Sequence, residues 1–230
     1  MYKFFFLLIL PFILSCTKSE IAIKSTDKNT PLRYLALGDS YTIGESVSEE
    51  ERWPVKLVDH LNQEGFSFEA PRIIATTGWT TGELIDAINK ENPESYDLVS
   101  LLIGVNNQYR GMDINVYEKE FTQLLQKSID LVGKNTSRVF VVSIPDYSVT
   151  PFGQSKDPQK IFREIDAFNE INKAITERMG VAYFNITPIS RNAINDSDLL
   201  AKDNLHPSGK MYQEWVDMIF PVIKNLLKQK

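Results

Sequence analysis

Three residues whose types cooperate in acyl-transfer chemistry come from two distant parts of this chain. Ser40 stands near the start of its folded part, and Asp203 and His206 stand close to the C-terminus. A hydroxyl is a weak nucleophile until a base removes its proton, and imidazole is the usual base near neutral pH. An acidic side chain three positions before that imidazole can reach its Nδ1 and leave Nε2 free to take the serine proton. The pattern favours hydrolysis through an activated serine.

Two further residues could stabilise the negative charge that such a reaction creates. Asn106 follows an apolar run and Gly104, and its amide can donate to an oxyanion. Gly78 offers a backbone N–H with no side chain in the way. Each residue also has a purely structural interpretation, because serine caps helices, histidine can cap or lie at the surface, asparagine pairs form turns and glycine serves positive φ. No single residue therefore indicates a function. Their combined placement in the predicted fold does.

The apolar pattern predicts strands that alternate with helices. Short runs rich in β-branched, aromatic and other apolar residues predict strands at 33–37, 72–76, 97–103, 138–144 and 181–186. Apolar stripes at helical spacing predict helices at 53–64, 81–90, 116–132, 158–179 and 207–227. This alternation indicates a parallel sheet covered by helices on both faces. Chemistry in such sheets collects at the carboxyl ends of the strands, where Ser40, Gly78 and Asn106 fall.

Four short blocks, in this order along the chain, resemble the SGNH hydrolases, also called the GDSL family of esterases and lipases. The blocks are Gly38-Asp39-Ser40, Gly78, Gly104-Val105-Asn106 and Asp203-Asn204-Leu205-His206. The resemblance implies a flavodoxin-like α/β fold, a three-layer α/β/α sandwich with a five-stranded parallel sheet, and a serine esterase that works through an acyl-enzyme. It also implies Ser40 as nucleophile, His206 as base and Asp203 as the residue that orients it. The oxyanion would be held by the N–H groups of Ser40 and Gly78 and by the Asn106 amide, without a cofactor or metal.

Two residues depart from the pattern of that family. The third block often ends in an aspartate, where this chain has Asn107, and the first block often continues with leucine, where this chain has Tyr41. Neither change removes a group with an implied role. We expect both to reshape the pocket.

The first residues resemble an export signal. An apolar run from Phe4 to Leu14 suits a signal-peptide core and is too short for a stable membrane span. Ile13-Leu14-Ser15-Cys16 resembles a bacterial lipobox, and Cys16 is the only cysteine of the chain. We therefore predict a signal peptide over 1–15, a lipidated Cys16 with a polar tether over 16–31, and a hydrolase domain over 32–230. The location would be the bacterial cell envelope; the alternative is an ordinary secretory signal with a chance cysteine.

Composition argues against several other classes of protein. The formal net charge is −5, and Lys and Arg are scattered among Asp and Glu, so no basic face for nucleic acid is expected. The chain has two histidines, His60 and His206, which are far apart and provide no metal-ligand cluster. The segment from Gly38 to Gly44 does not match a nucleotide-binding fingerprint.

Two segments that follow predicted strands are expected to line the substrate pocket. The segments 108–111 and 146–153 follow predicted strands and combine aromatic with polar residues, which suits a small, glycan-linked or lysolipid acyl ester. Arg110 is a candidate partner for an anionic head group. The alternative function is a non-catalytic envelope lipoprotein that binds a cell-wall or carbohydrate ligand on the same fold.

Overall fold

A computed structural model describes residues 1–2 and 30–229 of the chain. Residues 3–15 of the predicted signal peptide, Cys16 and nearly all of the tether lie outside these residues, and the signal peptide, the lipidation and the tether stay predictions. Contacts divide the chain into units of residues 1–30 and 31–230, and the second unit is described below. Within the described ranges, no helix has both the length and the apolar character needed to cross a membrane.

The second unit is built around a parallel sheet whose strand order is β2-β1-β3-β4-β5. The strands are β1 Tyr34–Gly38, β2 Arg72–Ala75, β3 Leu98–Leu102, β4 Val139–Val142 and β5 Ala182–Phe184. Every residue of β1, β3 and β4 is buried, whereas the edge strands β2 and β5 carry partly exposed positions. Continuous apolar runs therefore mark strands that are covered on both faces. The predicted fold class is confirmed.

Helices cover the sheet in two groups. The helices are α1 Ser40–Ile43, α2 Trp53–Gln63, α3 Thr81–Glu91, α4 Val105–Tyr109, α5 Ile114–Leu131, α6 Pro151–Gln154, α7 Pro158–Arg178, α8 Thr187–Arg191 and α9 Gly209–Lys228. One group pairs α2 with α9, and the other packs α3 against α5 and α5 against α7. The short helices α1 and α4 follow closely after β1 and β3, and they carry Ser40 and Asn106.

Two helix starts differ from the sequence prediction because capping side chains decide them. Helix α5 begins two residues before the expected Val116, since Asp113 accepts the N–H of Asn115. Helix α9 begins at Gly209 rather than at Pro207, because the hydroxyl of Ser208 accepts the N–H of Met211. Side-chain caps of this kind satisfy N–H groups that a helix leaves unpaired at its start.

His60 lies on the face of α2 that contacts α9. It is half-buried on α2, and its ring packs against Phe220 of α9 with 5.5 Å between ring centroids. Its Nδ1 lies 2.8 Å from the Lys56 carbonyl oxygen. His60 belongs to the contact between α2 and α9.

The register of the sheet aligns the ends of its first three strands. Gly38, the last residue of β1, stands opposite Ala75 in β2 and Leu102 in β3. The turns that follow these strands therefore leave the sheet at the same level. Because the chain order reverses between β1 and β3, a crevice opens there, and in open α/β sheets ligands bind at such a point.

The turn between β1 and α1 contains a fully buried acid, Asp39. Its Oδ1 accepts the N–H of Tyr41, which caps α1, and its Oδ2 has no hydrogen-bond partner among the described residues. Burial raises the pKa of this carboxyl from 3.8 to about 7, despite the backbone N–H groups that favour the charged form. Between pH 3.8 and about pH 7 the folded chain holds a proton on Asp39 that the unfolded chain has lost. The contribution of this carboxyl therefore lowers the stability of the fold as the pH rises.

We expect Asp39→Asn to stabilise the fold at about pH 8 and to have little effect at about pH 4. The amide keeps the cap and removes the buried charge. A pKa that differs by about three between the folded and the unfolded chain corresponds to at most ~4 kcal/mol of folding free energy. Denaturant unfolding at the two pH values measures the difference. The matched control is Asp113→Asn, which changes an exposed cap and should give the same small effect at both. An Asp39→Asn variant with the same dependence of stability on pH as the wild type, from about pH 4 to about pH 8, would contradict the raised pKa of Asp39.

Candidate active site

The Asp203–His206 segment forms a compact turn that orients the imidazole. Asp203 Oδ1 accepts the backbone N–H groups of Leu205 and His206, both at 3.0 Å. This turn brings Asp203 Oδ2 to 2.6 Å from His206 Nδ1. A carboxylate only accepts hydrogen bonds, so Nδ1 carries the proton and Nε2 holds the free lone pair. The spacing of three residues thus produces the arrangement that the sequence predicted for this pair.

Asp203 is strongly stabilised in its charged form. Partial burial opposes ionisation, but hydrogen bonds from Ser46, from the His206 ring and from two backbone N–H groups outweigh it and lower the pKa of Asp203 to about 2. The carboxylate is therefore negative throughout the neutral range. A fixed negative charge at this position stabilises an imidazolium on the adjacent ring.

Ser40 and His206 line the same cavity, at the crevice where the strand order reverses. Ser40 is the first residue of α1, directly after the turn that ends β1, and only 4% of it is exposed. Within the described part of the chain, its Oγ forms no hydrogen bond with the His206 ring. Catalytic hydrogen bonds are often long in unliganded enzymes and shorten when substrate binds.

The Asn106 amide faces the same cavity from α4. Its Nδ2 donates to the Trp79 carbonyl oxygen at 2.9 Å, which fixes the plane of the amide and leaves its second N–H without a partner among the described residues. Gly104 allows this close turn, because it has φ +134° and an added Cβ would lie 2.5 Å from Cε2 of Tyr117. A side chain at position 104 would displace the α4 turn from the sheet.

Gly78 also lines the cavity and is held by Arg110. It has φ +89°, a conformation that favours glycine. The Arg110 guanidinium donates to the Gly78 carbonyl oxygen at 2.6 Å and pairs with Glu83 at 3.3 Å. These contacts hold the guanidinium against Gly78 and α3, and the expectation that Arg110 meets an anionic head group stays a prediction.

The two departures from the family pattern have different outcomes. Tyr41 lines the cavity and presents an edge-to-face contact to the His206 ring, with 5.7 Å between centroids. Asn107 is fully buried behind the cavity, where its Oδ1 accepts the N–H of Thr81 at 3.0 Å and its Nδ2 donates to the Thr81 hydroxyl at 2.6 Å. Tyr41 therefore shapes the pocket, as expected, whereas Asn107 connects the start of α4 to the start of α3.

Three aromatic side chains line part of the cavity. We call them the aromatic wall: Tyr109, Tyr147 and Phe152. Their ring centroids lie 6.0 to 6.4 Å apart. The phenol of Tyr147 donates to Gln108 Oε1 at 2.9 Å. The segments after β3 and β4 that the sequence marked as pocket-lining thus meet here. The cavity they help to enclose measures about 210 Å³.

The structure brings the sequence-predicted residues together. Ser40, Gly78, Asn106 and His206 line one cavity, and Asp203 lies behind His206. Sequence reasoning missed Ser46, whose hydroxyl donates to Asp203 Oδ2 at 2.7 Å, and the support that Arg110 gives to Gly78. Neither residue belongs to a recognisable motif. In residues 1–2 and 30–229, no group of three His, Cys, Asp or Glu side chains is placed to hold a metal ion.

Comparisons with known proteins agree with this architecture. The model of the GDSL-like lipase/acylhydrolase family matches residues 36–214. A search of curated protein sequences finds no match. Three similar solved structures cover 86 to 87% of this chain: the esterase EstA from Pseudoalteromonas sp. inhibited by monoethylphosphonate, a lipase/acylhydrolase from Enterococcus faecalis, and the acetylxylan esterase Axe2 from Geobacillus stearothermophilus.

Similarity to these structures lies in the fold rather than in close sequence identity. EstA is 22% identical with a TM-score of 0.62 and 100% of its chain covered. The Enterococcus protein is 20% identical with a TM-score of 0.63 and 99% covered, and Axe2 is 19% identical with a TM-score of 0.60 and 96% covered. Since the matching family model spans well over half of the chain, this protein belongs to the GDSL-like lipase/acylhydrolase family of carboxylic ester hydrolases.

Proposed function

We propose that this protein is a serine esterase that hydrolyses short acyl esters of small or sugar-like alcohols. The observation that carries the proposal is that one small cavity is lined by Ser40, Gly78, Asn106 and His206. Asp203 is hydrogen-bonded to Nδ1 of the His206 ring. A module that only binds a ligand has no need for all five residues in this arrangement.

The proposed reaction begins with attack by Ser40 Oγ on the ester carbonyl carbon. His206 Nε2 takes the hydroxyl proton, while Asp203 keeps the proton on Nδ1 and stabilises the imidazolium. His206 then protonates the leaving alcohol, and an acyl group remains on Ser40. Water, activated by His206 in the same way, releases the acid and restores the serine.

The negative charge on the carbonyl oxygen is the main cost of this reaction. We propose that the N–H groups of Ser40 and Gly78 and the unpaired N–H of Asn106 donate to it. Donors aimed at the position where charge develops often provide the largest single stabilisation of such a transition state. The bond from Asn106 to Trp79 and the bond from Arg110 to Gly78 support this role, because they hold both donors in place before substrate arrives.

Cavity size and lining favour a short acyl group. A volume of about 210 Å³ lies below the range of about 300–1,000 Å³ that is usual for drug-sized ligands. The aromatic wall limits extension of an acyl chain, and the exposed phenol of Tyr109 suits an alcohol with polar groups. One structural neighbour is an acetylxylan esterase, which is consistent with a short acyl group on a carbohydrate.

An ester series tests this function. We expect the wild type to hydrolyse p-nitrophenyl acetate and butyrate, with kcat/KM lower by about tenfold or more for the decanoate, whose tail exceeds the cavity. Ser40→Ala should lower kcat by roughly 10⁴ or more and abolish labelling by a fluorophosphonate. Ser128→Ala, which removes a buried hydroxyl on α5, should keep both properties. Turnover or labelling retained by Ser40→Ala would identify another nucleophile, and a wild type without turnover would favour the ligand-binding alternative.

A second variant tests the oxyanion role of Asn106. Asn106→Ala should lower kcat by roughly 10²–10³ with little change in KM, because the lost donor acts mainly in the transition state. Asn115→Ala, which removes an exposed amide at the start of α5, is the matched control and should be unaffected. Steady-state kinetics on p-nitrophenyl acetate decide the question, and a kcat for Asn106→Ala close to that of the wild type would exclude this amide from the oxyanion site.

We also propose that Cys16 is lipidated and anchors the protein in a bacterial cell envelope. The support is the sequence alone, in which an apolar run from Phe4 to Leu14 leads through Ser15 to the single cysteine of the chain. In a bacterial host the wild type should incorporate labelled palmitate and fractionate with membranes, whereas Cys16→Ala should lose the label. Ser19→Ala, three positions further along the chain, should remain labelled. A wild type that takes up no palmitate would leave an ordinary secretory signal as the explanation.

A further inference from the structure

The surroundings of Asp203 include a hydroxyl from a distant part of the chain. Ser46 Oγ donates to Asp203 Oδ2 at 2.7 Å, across 157 positions of sequence. The same oxygen lies 2.6 Å from His206 Nδ1. Ser46 and the imidazole therefore share one carboxylate oxygen, and together with two backbone N–H groups on Oδ1 they provide four hydrogen bonds to Asp203.

The backbone at Ser46 is strained for a residue with a side chain. Its φ is +66°, in the left-handed region where residues other than glycine are uncommon. Such a conformation is unfavourable for a residue with a side chain and tends to occur at functional sites. Ser46 is exposed, so burial of its side chain does not compensate for this cost. A glycine would adopt this φ without strain, and the hydroxyl is what a glycine would lack.

The segment that presents Ser46 is tied to the nucleophile and to the loop of Gly78. The N–H groups of Gly44 and Glu45 donate to the Ser40 carbonyl oxygen at 3.1 and 3.0 Å. The Glu45 carboxylate accepts a hydrogen bond from the hydroxyl of Thr77, the neighbour of Gly78. Segment 44–46 thus connects three parts of the candidate active site that are far apart in sequence.

We propose that Ser46 is a positioning residue that holds the Asp203 carboxylate in the orientation His206 requires. This inference rests on the proposed esterase function. The Asp203 side chain is 31% exposed, so water competes for its oxygens. With Ser46 in place, Oδ2 is held between two donors and the position of the carboxylate is set relative to Ser40. Without Ser46, Oδ2 keeps only its bond to His206, and water takes the place of the lost donor.

The test compares two substitutions that separate the hydroxyl from the backbone. Ser46→Gly removes the hydroxyl and relieves the strained φ, so we expect kcat to fall by about tenfold while KM and denaturant stability are maintained or stability rises. Ser46→Thr keeps a hydroxyl but adds a branched side chain at positive φ, so we expect lower stability with kcat within about threefold of the wild type. A residue with a merely structural role would lose activity and stability together.

The matched control is Ser48→Ala. Ser48 is an exposed serine two positions further on, and its hydroxyl bonds to Glu51 instead of to Asp203. Its removal should leave kcat and KM unchanged. The comparison excludes a general effect of removing a hydroxyl from this loop.

A second readout does not depend on turnover. A proton held between His206 Nδ1 and Asp203 should give a far-downfield proton NMR signal, and the chain has only two histidines, so His60 provides an internal reference. We expect this signal in the wild type, a shifted or exchange-broadened signal in Ser46→Gly, and its return in Ser46→Thr.

The outcomes distinguish this inference from the proposed function. A Ser46→Gly variant with wild-type kcat and an unchanged downfield signal would overturn the role of Ser46 while leaving the esterase intact. A wild type that neither hydrolyses esters nor reacts with a fluorophosphonate would overturn the esterase. In that case the NMR comparison alone would still decide whether Ser46 holds the carboxylate.

Discussion

The alignment of three neighbouring strand ends is the constraint on which the rest of this molecule depends. Parallel pairing of β1 with both β2 and β3 places Gly38, Ala75 and Leu102 side by side. The following turns then supply Ser40, Gly78 and Asn106 to one crevice. A shift of β2 or β3 by one residue would move its turn along the sheet by roughly 3.3 Å, more than a hydrogen bond tolerates. The core that sets this register therefore also sets the geometry of the site.

Strands and motif residues could be predicted from sequence because their signals are local. Continuous apolar runs identify strands that are buried on both faces, and the strands appear where these runs predicted them. The Asp203–His206 pair is local too, since the turn between them uses only residues 203–206. Ser40, Gly78 and Asn106 each follow a strand, so topology alone was enough to expect them at the same edge of the sheet.

Contacts that link distant segments could not be predicted in this way. Ser46 and Asp203 are separated by 157 positions, and Ser46 lies in an exposed polar segment without periodicity. Arg110 offered a positive charge and no indication that a backbone carbonyl would engage it. The starts of α5 and α9 were shifted by two residues because several serines and acids near a helix can cap it, and tertiary packing selects among them.

The bond between the Asn106 amide and the Trp79 carbonyl oxygen bears on the oxyanion role that we propose for Asn106. In that role the amide is oriented before charge appears, so the reorganisation that water would undergo is avoided. That advantage requires the turn around Asn106 to stay rigid. A change of ester preference is therefore expected to arise in the aromatic wall, where Tyr109 is 55% exposed, while the turn around Asn106 is preserved.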